Sequence, residues 1–270
     1  MHTADLLVLK IGGSLFSDKR LDRHLDPAAV RRYARIAADL HRAAPGRVVL
    51  VSGGGAYGHG AVRGLDPSEP FAALALTGAN AELRWAWTVA LREAGVAAFP
   101  VQFAAAAVLG PGGEARLSGE SVARLLAAGV LPVLSGDCLP DGSGRLHVVG
   151  SDRVPGALTA LAPGATRIVM LTDVDGVMDG DTVVPRLTPD GAGAGLRALR
   201  ETPRWDTTGG MAGKLAAALG HSRKGAECVI LNGARIGADP AFLLDPVEKW
   251  PGNVPRTVVT ADGPVPENVD

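Results

Sequence analysis

Lysine is scarce in this chain. Of 27 basic residues in a length of 270, only five are Lys, at positions 10, 19, 214, 224 and 249, and the rest are Arg. Aromatic residues make up 4%, there are two Cys, and the formal net charge is −1. Near neutrality excludes a global field that would draw in nucleic acid or an anionic membrane, so any anionic ligand has to be held by locally placed groups. Cys138 and Cys228 stand far apart, with no CxxC and no companion Cys/His cluster. That excludes a disulfide scaffold, argues against a catalytic cysteine and points to packing roles in a reducing compartment. The GxxxxGK[ST] phosphate loop is missing. A membrane-spanning run is missing too: the longest uncharged stretch, Ala94 to Gly113, is cut by Pro100, Gln102, Pro111 and several glycines. Asp5 and Lys10 break the amino-terminal apolar stretch, no secretory signal is apparent, and the expectation is a cytoplasmic protein.

What is present is a well-filled apolar chain. Apolar residues make up 47% and charged ones 20%, which rules out disorder. Short β-rich runs recur at Leu6 to Ile11, Val48 to Val51, Val96 to Val101, Val130 to Leu134, Ile168 to Leu171, Cys228 to Leu231 and Thr257 to Thr260. They are continuously apolar, as strands covered on both faces must be. Helical spacing lies between them. Asp26 caps a helix that opens on Pro27 and repeats apolar residues at Val30, Tyr33, Ala34, Ile36, Ala37 and Leu40. Further helices are predicted over Phe71 to Ala94, Glu120 to Ala128, Arg153 to Leu161 and Met211 to Lys224. The fold class is α/β, a sandwich with a largely parallel central sheet. No repeat or linker is evident, a change of lobe is placed near Pro163 and Gly164, and the tail from Ala261 is expected to fray.

The informative residues follow the strands. Five strands run into Gly12-Gly13-Ser14, Ser52-Gly53-Gly54-Gly55, Ser135-Gly136-Asp137, Thr172-Asp173-Val174-Asp175-Gly176 and Asn232-Gly233. In a parallel sheet these turns share one edge, where open α/β sheets bind ligands. Glycine turns ahead of helices expose backbone N–H groups, a cradle for phosphate. Lys10, at the end of the first strand, would aim a point charge there, and His59 would donate to a phosphate or phosphonate oxygen. Thr208-Gly209-Gly210-Met211-Ala212-Gly213-Lys214 opens a helix and offers a second cradle with its own cation. Two cations at two phosphate cradles are what transfer between bound anions needs. Asp152, at the head of a helix, is either an ordinary N-cap or a carboxylate that holds the two lysines oriented. Asp173 and Asp175 suit a turn near a nucleotide, and no metal ligands are assigned.

Gly53-Gly54-Gly55-Ala56-Tyr57-Gly58 also satisfies GxGxxG after a strand. A dinucleotide site needs a second strand ending in an acid about twenty residues on. The stretch from Ala73 to Arg84 reads instead as helix, and the next strand ends in Pro100-Val101-Gln102, so nicotinamide binding is set aside.

Together these residues resemble the amino acid kinase superfamily, through Lys10-Ile-Gly-Gly-Ser14, the Gly53-Gly54-Gly55 loop, Thr172 to Gly176 and Thr208 to Lys214, over nearly the whole chain. The GGGxxGH run ending at His59 is similar to the branch acting on phosphates and phosphonates, the isopentenyl phosphate and fosfomycin kinases. Gly13 to Lys19, Ser52 to Arg63, Ser151 to Pro155, Trp205-Asp206, Lys224 to Cys228 and Trp250-Pro251 look closest to the fosfomycin kinases. Tyr57, Gly150 and Gly210 depart from that pattern, where Phe, Ser and Ala are expected.

The resemblance implies a three-layer αβα sandwich with an acceptor lobe over 1–163 and an ATP lobe over 164–270 on one continuous sheet. It implies ATP and Mg²⁺ as cofactors, the metal held mainly by phosphates and water, and a homodimer. Lys10, Lys19, His59, Asp152 and Lys214 would be catalytic. Gly53, Gly54, Gly55, Gly58, His59, Gly136 and Ser151 would hold the acceptor. Lys10, Gly12, Gly13, Ser14, Lys19, Thr172, Asp173, Asp175, Gly176, Thr208, Gly210, Met211 and Lys214 would hold ATP. The expected reaction is γ-phosphoryl transfer to the phosphonate of fosfomycin, an antibiotic inactivation. The alternatives are isopentenyl phosphate as acceptor, another phosphonate in a biosynthetic step, or a nucleotide-binding regulator without catalysis. Choice of acceptor is assigned to a lid over Asp66 to Val108. Lys224 and Lys249 receive no role.

Overall fold

The computed structural model describes residues 4–66, 68–162, 164–189 and 210–261. In chain order the elements are β1 (Leu6–Ile11), α1 (Pro27–Ala43), β2 (Val48–Ser52), α2 (Gly55–Val62), α3 (Leu74–Glu93), β3 (Ala98–Pro100), α4 (Phe103–Ala106), β4 (Ala107–Leu109), β5 (Ala115–Leu117), α5 (Ser121–Ala127) and β6 (Leu131–Ser135). There follow β7 (Asp137–Pro140), β8 (Leu146–Val149), α6 (Pro155–Leu158), β9 (Thr166–Thr172), β10 (Met178–Asp179), β11 (Thr182–Val183), β12 (Arg186–Leu187), α7 (Gly210–Ser222), β13 (Glu227–Asn232) and β14 (Arg256–Val259).

One eight-stranded sheet, in the order β12-β14-β13-β9-β1-β2-β6-β3, carries strands from both sides of residue 163. Its pairs are parallel except β13 with β14. All seven predicted strands are present, the first with the predicted ends and the others with ends that differ by at most two residues. The first helix begins as predicted: the Ala28 and Ala29 N–H groups donate to the Asp26 carboxylate at 2.9 and 3.2 Å, and Pro27 occupies its first turn.

Strand alternation decides what each face buries. In β1, Leu7, Leu9 and Ile11 pack in a core with Tyr33 of α1 and Trp87 of α3. Leu6 and Val8 pack on the opposite side with Leu158 of α6 and Leu215 of α7. Lys10 shares the parity of Leu6 and Val8, so the pleat alone sends it to the face of α6 and α7.

Two elements differ from the sequence reading. The glycine segment before His59 is not a loop: α2 starts at Gly55 and runs to Val62, so His59 is on a helix and is buried, at 8% exposure. Packing of the glycine-bearing face against α3 overrides the poor helix propensity, since a Cβ on Gly58 would already touch Asn80 and Leu76 at 3.6 and 3.7 Å. The helix expected from Arg153 begins at Pro155, with Val154 as its N-cap and a 3₁₀ turn continuing over Thr159–Leu161. Asp152 is therefore not the cap of that helix. Thr208, with Trp205, Asp206 and Thr207, lies outside the described residues, as does the tail beyond 261. No helix among the described residues is long and apolar enough to cross a membrane.

Candidate active site

Register places the five glycine-bearing turns on one edge. Ile11 is level with Ser52 and with Leu171, Ser52 with Ser135, and Leu171 with Leu231. The carboxyl ends of β1, β2, β6, β9 and β13 therefore finish together, as expected of a parallel sheet. The first two turns touch backbone to backbone. A Cβ on Gly53 would sit 2.5 Å from the Gly13 nitrogen, and one on Gly13 would sit 2.7 Å from the Gly55 Cα, so no larger residue fits either position without movement. Ser17 locks the same corner: its Oγ accepts the Ala56 N–H at 2.7 Å and donates to the His24 carbonyl at 2.9 Å.

A cavity of about 490 Å³ opens at this edge. Lys10, Lys19 and Lys214 line it, so three of the five lysines meet in one place. Lys10 is 2% exposed and forms an ion pair with Asp152 Oδ1. The Lys214 ammonium, in the second turn of α7, stands 3.8 Å from the other oxygen of the same carboxylate. Desolvation pushes the Lys10 ammonium down to about 8, with Lys214 and Lys19 acting the same way and Asp152 opposing them. Burial alone would raise the Asp152 carboxyl, but Lys10 and Lys214 outweigh it and hold it below the usual range. Asp152 is thus an anion that keeps two cations side by side.

Gly53, Gly54, Gly55 and Gly58 also line the cavity, with His59 one turn into α2. Gly136 and Ser151 complete the polar lining. Of the described residues expected to hold a nucleotide, Gly12, Ser14, Thr172, Asp173, Asp175, Gly176, Gly210 and Met211 do not line this cavity. Asp175 instead pairs with Arg235 at 2.8 Å and accepts the Asn232 side-chain amide at 3.0 Å. Both cysteines are buried and free, and burial raises both thiols, so neither is a poised nucleophile.

Sequence reasoning missed the residues that support the Gly136 turn. The Asn80 side-chain amide donates to the Gly136 carbonyl at 2.6 Å, and Arg84 donates to Ser135 Oγ at 2.8 Å while standing 3.7 Å from Asp137. Asp137 is fully buried and accepts from Thr77 Oγ1 and from the backbone of Cys138 and Ala104. A signal existed: Thr77, Asn80, Arg84 and Thr88 form a polar stripe at helical spacing inside an apolar helix. Four apolar side chains also reach the cavity: Val62, Leu76, Val148 and Val149. Only Leu76 lies within the span assigned to the lid.

The chain belongs to the amino acid kinase family, whose model matches residues 5–232. It is 35% identical over 222 residues to the isopentenyl phosphate kinase of Haloferax volcanii, covering 79% of this chain and 87% of that protein. A second isopentenyl phosphate kinase, from Methanothermobacter thermautotrophicus, is 29% identical over 88% of this chain and 95% of its own. Among solved structures, one of an isopentenyl phosphate kinase superposes with a TM-score of 0.68 at 22% identity, covering 94% of this chain and 99% of that one, a likeness of fold. Family, fold and the paired lysines make the protein a phosphotransferase, an ATP-dependent kinase of that family.

Proposed function

We propose that the protein transfers the γ-phosphoryl group of ATP to the phosphate of isopentenyl phosphate, giving the diphosphate and ADP. The observation that carries this reading is the mixed wall of one cavity: three lysines and His59 for phosphates, with Val62, Leu76 and Val148 for a short branched hydrocarbon. The names of the two curated relatives support the same acceptor. They move the expectation away from fosfomycin, whose small polar epoxide gains little from three aliphatic side chains.

The acceptor oxygen is already anionic, so no strong general base is required. Repulsion is the obstacle: two unit charges about 4 Å apart repel by about 4 kcal/mol at an effective dielectric near 20. Lys10, paired with Asp152 at the end of β1, neutralises the donor and acceptor phosphates together. Lys214 and Lys19 serve the departing polyphosphate, and His59 donates to the acceptor. As the new bond from acceptor oxygen to γ-phosphorus forms, the bond from γ-phosphorus to the β,γ-bridging oxygen breaks and its electron pair leaves on ADP. Among the described residues no group of three or more His, Cys, Asp or Glu is placed to hold a metal ion, and Asp152 is committed to two lysines. Mg²⁺, where bound, would be held mainly by the phosphates and water.

The test is an ADP-release assay on the purified full chain with isopentenyl phosphate and fosfomycin as competing acceptors. A kcat/KM at least 10-fold higher for isopentenyl phosphate is expected. A preference for fosfomycin would overturn the acceptor and leave the kinase class intact.

A further inference from the structure

His221 has no part in the scheme above. It lies on α7 seven residues after Lys214, two helical turns along the same face, and is 5% exposed. Its Nε2 stands 2.8 Å from the Asp152 carbonyl oxygen. A carbonyl only accepts, so Nε2 carries the proton and donates. The α7 helix thereby grips residue 152 twice, with Lys214 on the carboxylate and His221 on the backbone. Gly156, at the start of α6, closes the arrangement from the other side. A Cβ there would sit 2.6 Å from His221 Nδ1 and 2.8 Å from Cε1, so the imidazole is seated against bare backbone.

We propose that His221 is a positioning residue for phosphoryl transfer: by holding the Asp152 backbone, it fixes the carboxylate that keeps Lys10 and Lys214 together. The residues between strand β8 and helix α6 are turns, without a ladder to hold them. Asp152 sits in that stretch, and its carboxylate is drawn towards two buried or half-buried ammonium groups. A side chain from the same helix as Lys214 is the shortest way to keep the two distances coupled. The imidazole itself is neutral, because burial, with Lys224 and Arg153 close by, holds its pKa down against the opposing pull of Asp152. Neutrality preserves the local balance of Lys10, Lys19, Lys214 and Asp152.

The proposal rests on the phosphotransfer reading of the cavity and is independent of which acceptor it takes. Its test uses the scarcity of lysine. With five Lys in the chain, ¹³Cε-lysine labelling gives few resonances, and Lys10→Arg identifies the one from Lys10. Lys10 is titrated in wild type, His221→Gln, His221→Leu and Gly156→Ala, and kcat and KM for ATP are measured in parallel with isopentenyl phosphate. Gln places an amide donor near the position of Nε2, while Leu fills the space and donates nothing.

In wild type and His221→Gln the Lys10 titration is expected near 8, with kcat within about threefold. In His221→Leu and Gly156→Ala it should fall as Asp152 drifts from Lys10, with kcat down about 10-fold or more and KM for ATP changed less. An unchanged or raised Lys10 titration in both impaired variants overturns the proposal. So does a His221→Gln as impaired as His221→Leu, which would mean simple packing. If wild type fails to turn over isopentenyl phosphate, the acceptor reading fails and the titration still decides the role of His221. Gly156→Ala keeps the question open to test should His221→Leu not fold.

Discussion

Lys10 carries opposing demands. Its position at the end of a central strand, on the pleat shared with Leu6 and Val8, buries an ammonium group at 2% exposure. Burial disfavours the charge, and the Asp152 carboxylate restores part of it. Removing the ammonium should therefore cost turnover more than structure. Lys10→Ala is expected to lose on the order of 10²- to 10³-fold in kcat, the range seen when one positioned donor to a developing charge is deleted. Its far-ultraviolet circular dichroism should remain that of wild type. Near-normal turnover in that variant would sink the mechanism.

The same residue sets a pH limit. Only the protonated ammonium can bridge two phosphates, and in the free enzyme it titrates near 8. The profile of kcat/KM should fall as pH rises through about 8, because that ratio reports the free enzyme. The profile of kcat should turn at a higher pH, since bound polyphosphate adds negative charge and favours the ammonium. A flat kcat/KM from pH 7 to 9.5 would remove Lys10 from the chemistry.

Among the elements, α3 both walls the cavity and holds its floor. Its Arg84 is 2% exposed and its partner Asp137 fully buried, a pair that costs more to desolvate than a surface bridge returns. Such a pair is dangerous to break from one side. Arg84→Met should leave Asp137 with its Thr77 and backbone donors but no countercharge, and lower unfolding free energy by about 3 kcal/mol in urea denaturation. A loss below about 1 kcal/mol would show that those donors suffice alone.

Much of this architecture is legible in the sequence because its causes are local. Continuous apolar runs disclose strands covered on both faces, and Asp26-Pro27 discloses a helix start. Glycines after strands disclose the ligand edge, and register confirms their alignment. What stays hidden depends on contacts between distant segments. Gly55 to Val62 has a loop's composition and becomes a helix where Gly58 lets α3 approach. Val62 and Val148 reach the cavity from positions 86 residues apart, so no window of sequence shows its apolar lining. His221, likewise, is an ordinary helical His until Asp152 is brought beside it.

For the molecule as a whole, the near-zero net charge hides a concentrated one. Three lysines line the cavity, two of them paired with the Asp152 carboxylate, and leave it positive while the chain totals −1. Before ligands arrive, burial of the Lys10 ammonium, with Lys214 and Lys19 adding to it, opposes folding. An unfolded Lys10 titrates at the ordinary lysine value of 10.5 and the folded one near 8, so between these values the unfolded chain binds more protons. Stability from this residue therefore increases as pH rises from about 8 towards 10.5, and the penalty is fully present below 8. A shift of this size corresponds to about 3 kcal/mol over the whole window. Lys10→Met, which keeps an unbranched side chain one atom shorter and drops the ammonium, isolates the effect from Tyr and Arg titrations common to both proteins. Urea unfolding of the ligand-free proteins at pH 7.5 and 10 should show wild type gaining on Lys10→Met by about 2 kcal/mol between the two conditions. A difference that stays constant with pH would mean that the Lys10 ammonium is as well solvated in the folded protein as in the unfolded chain, and that the cavity stores no such charge.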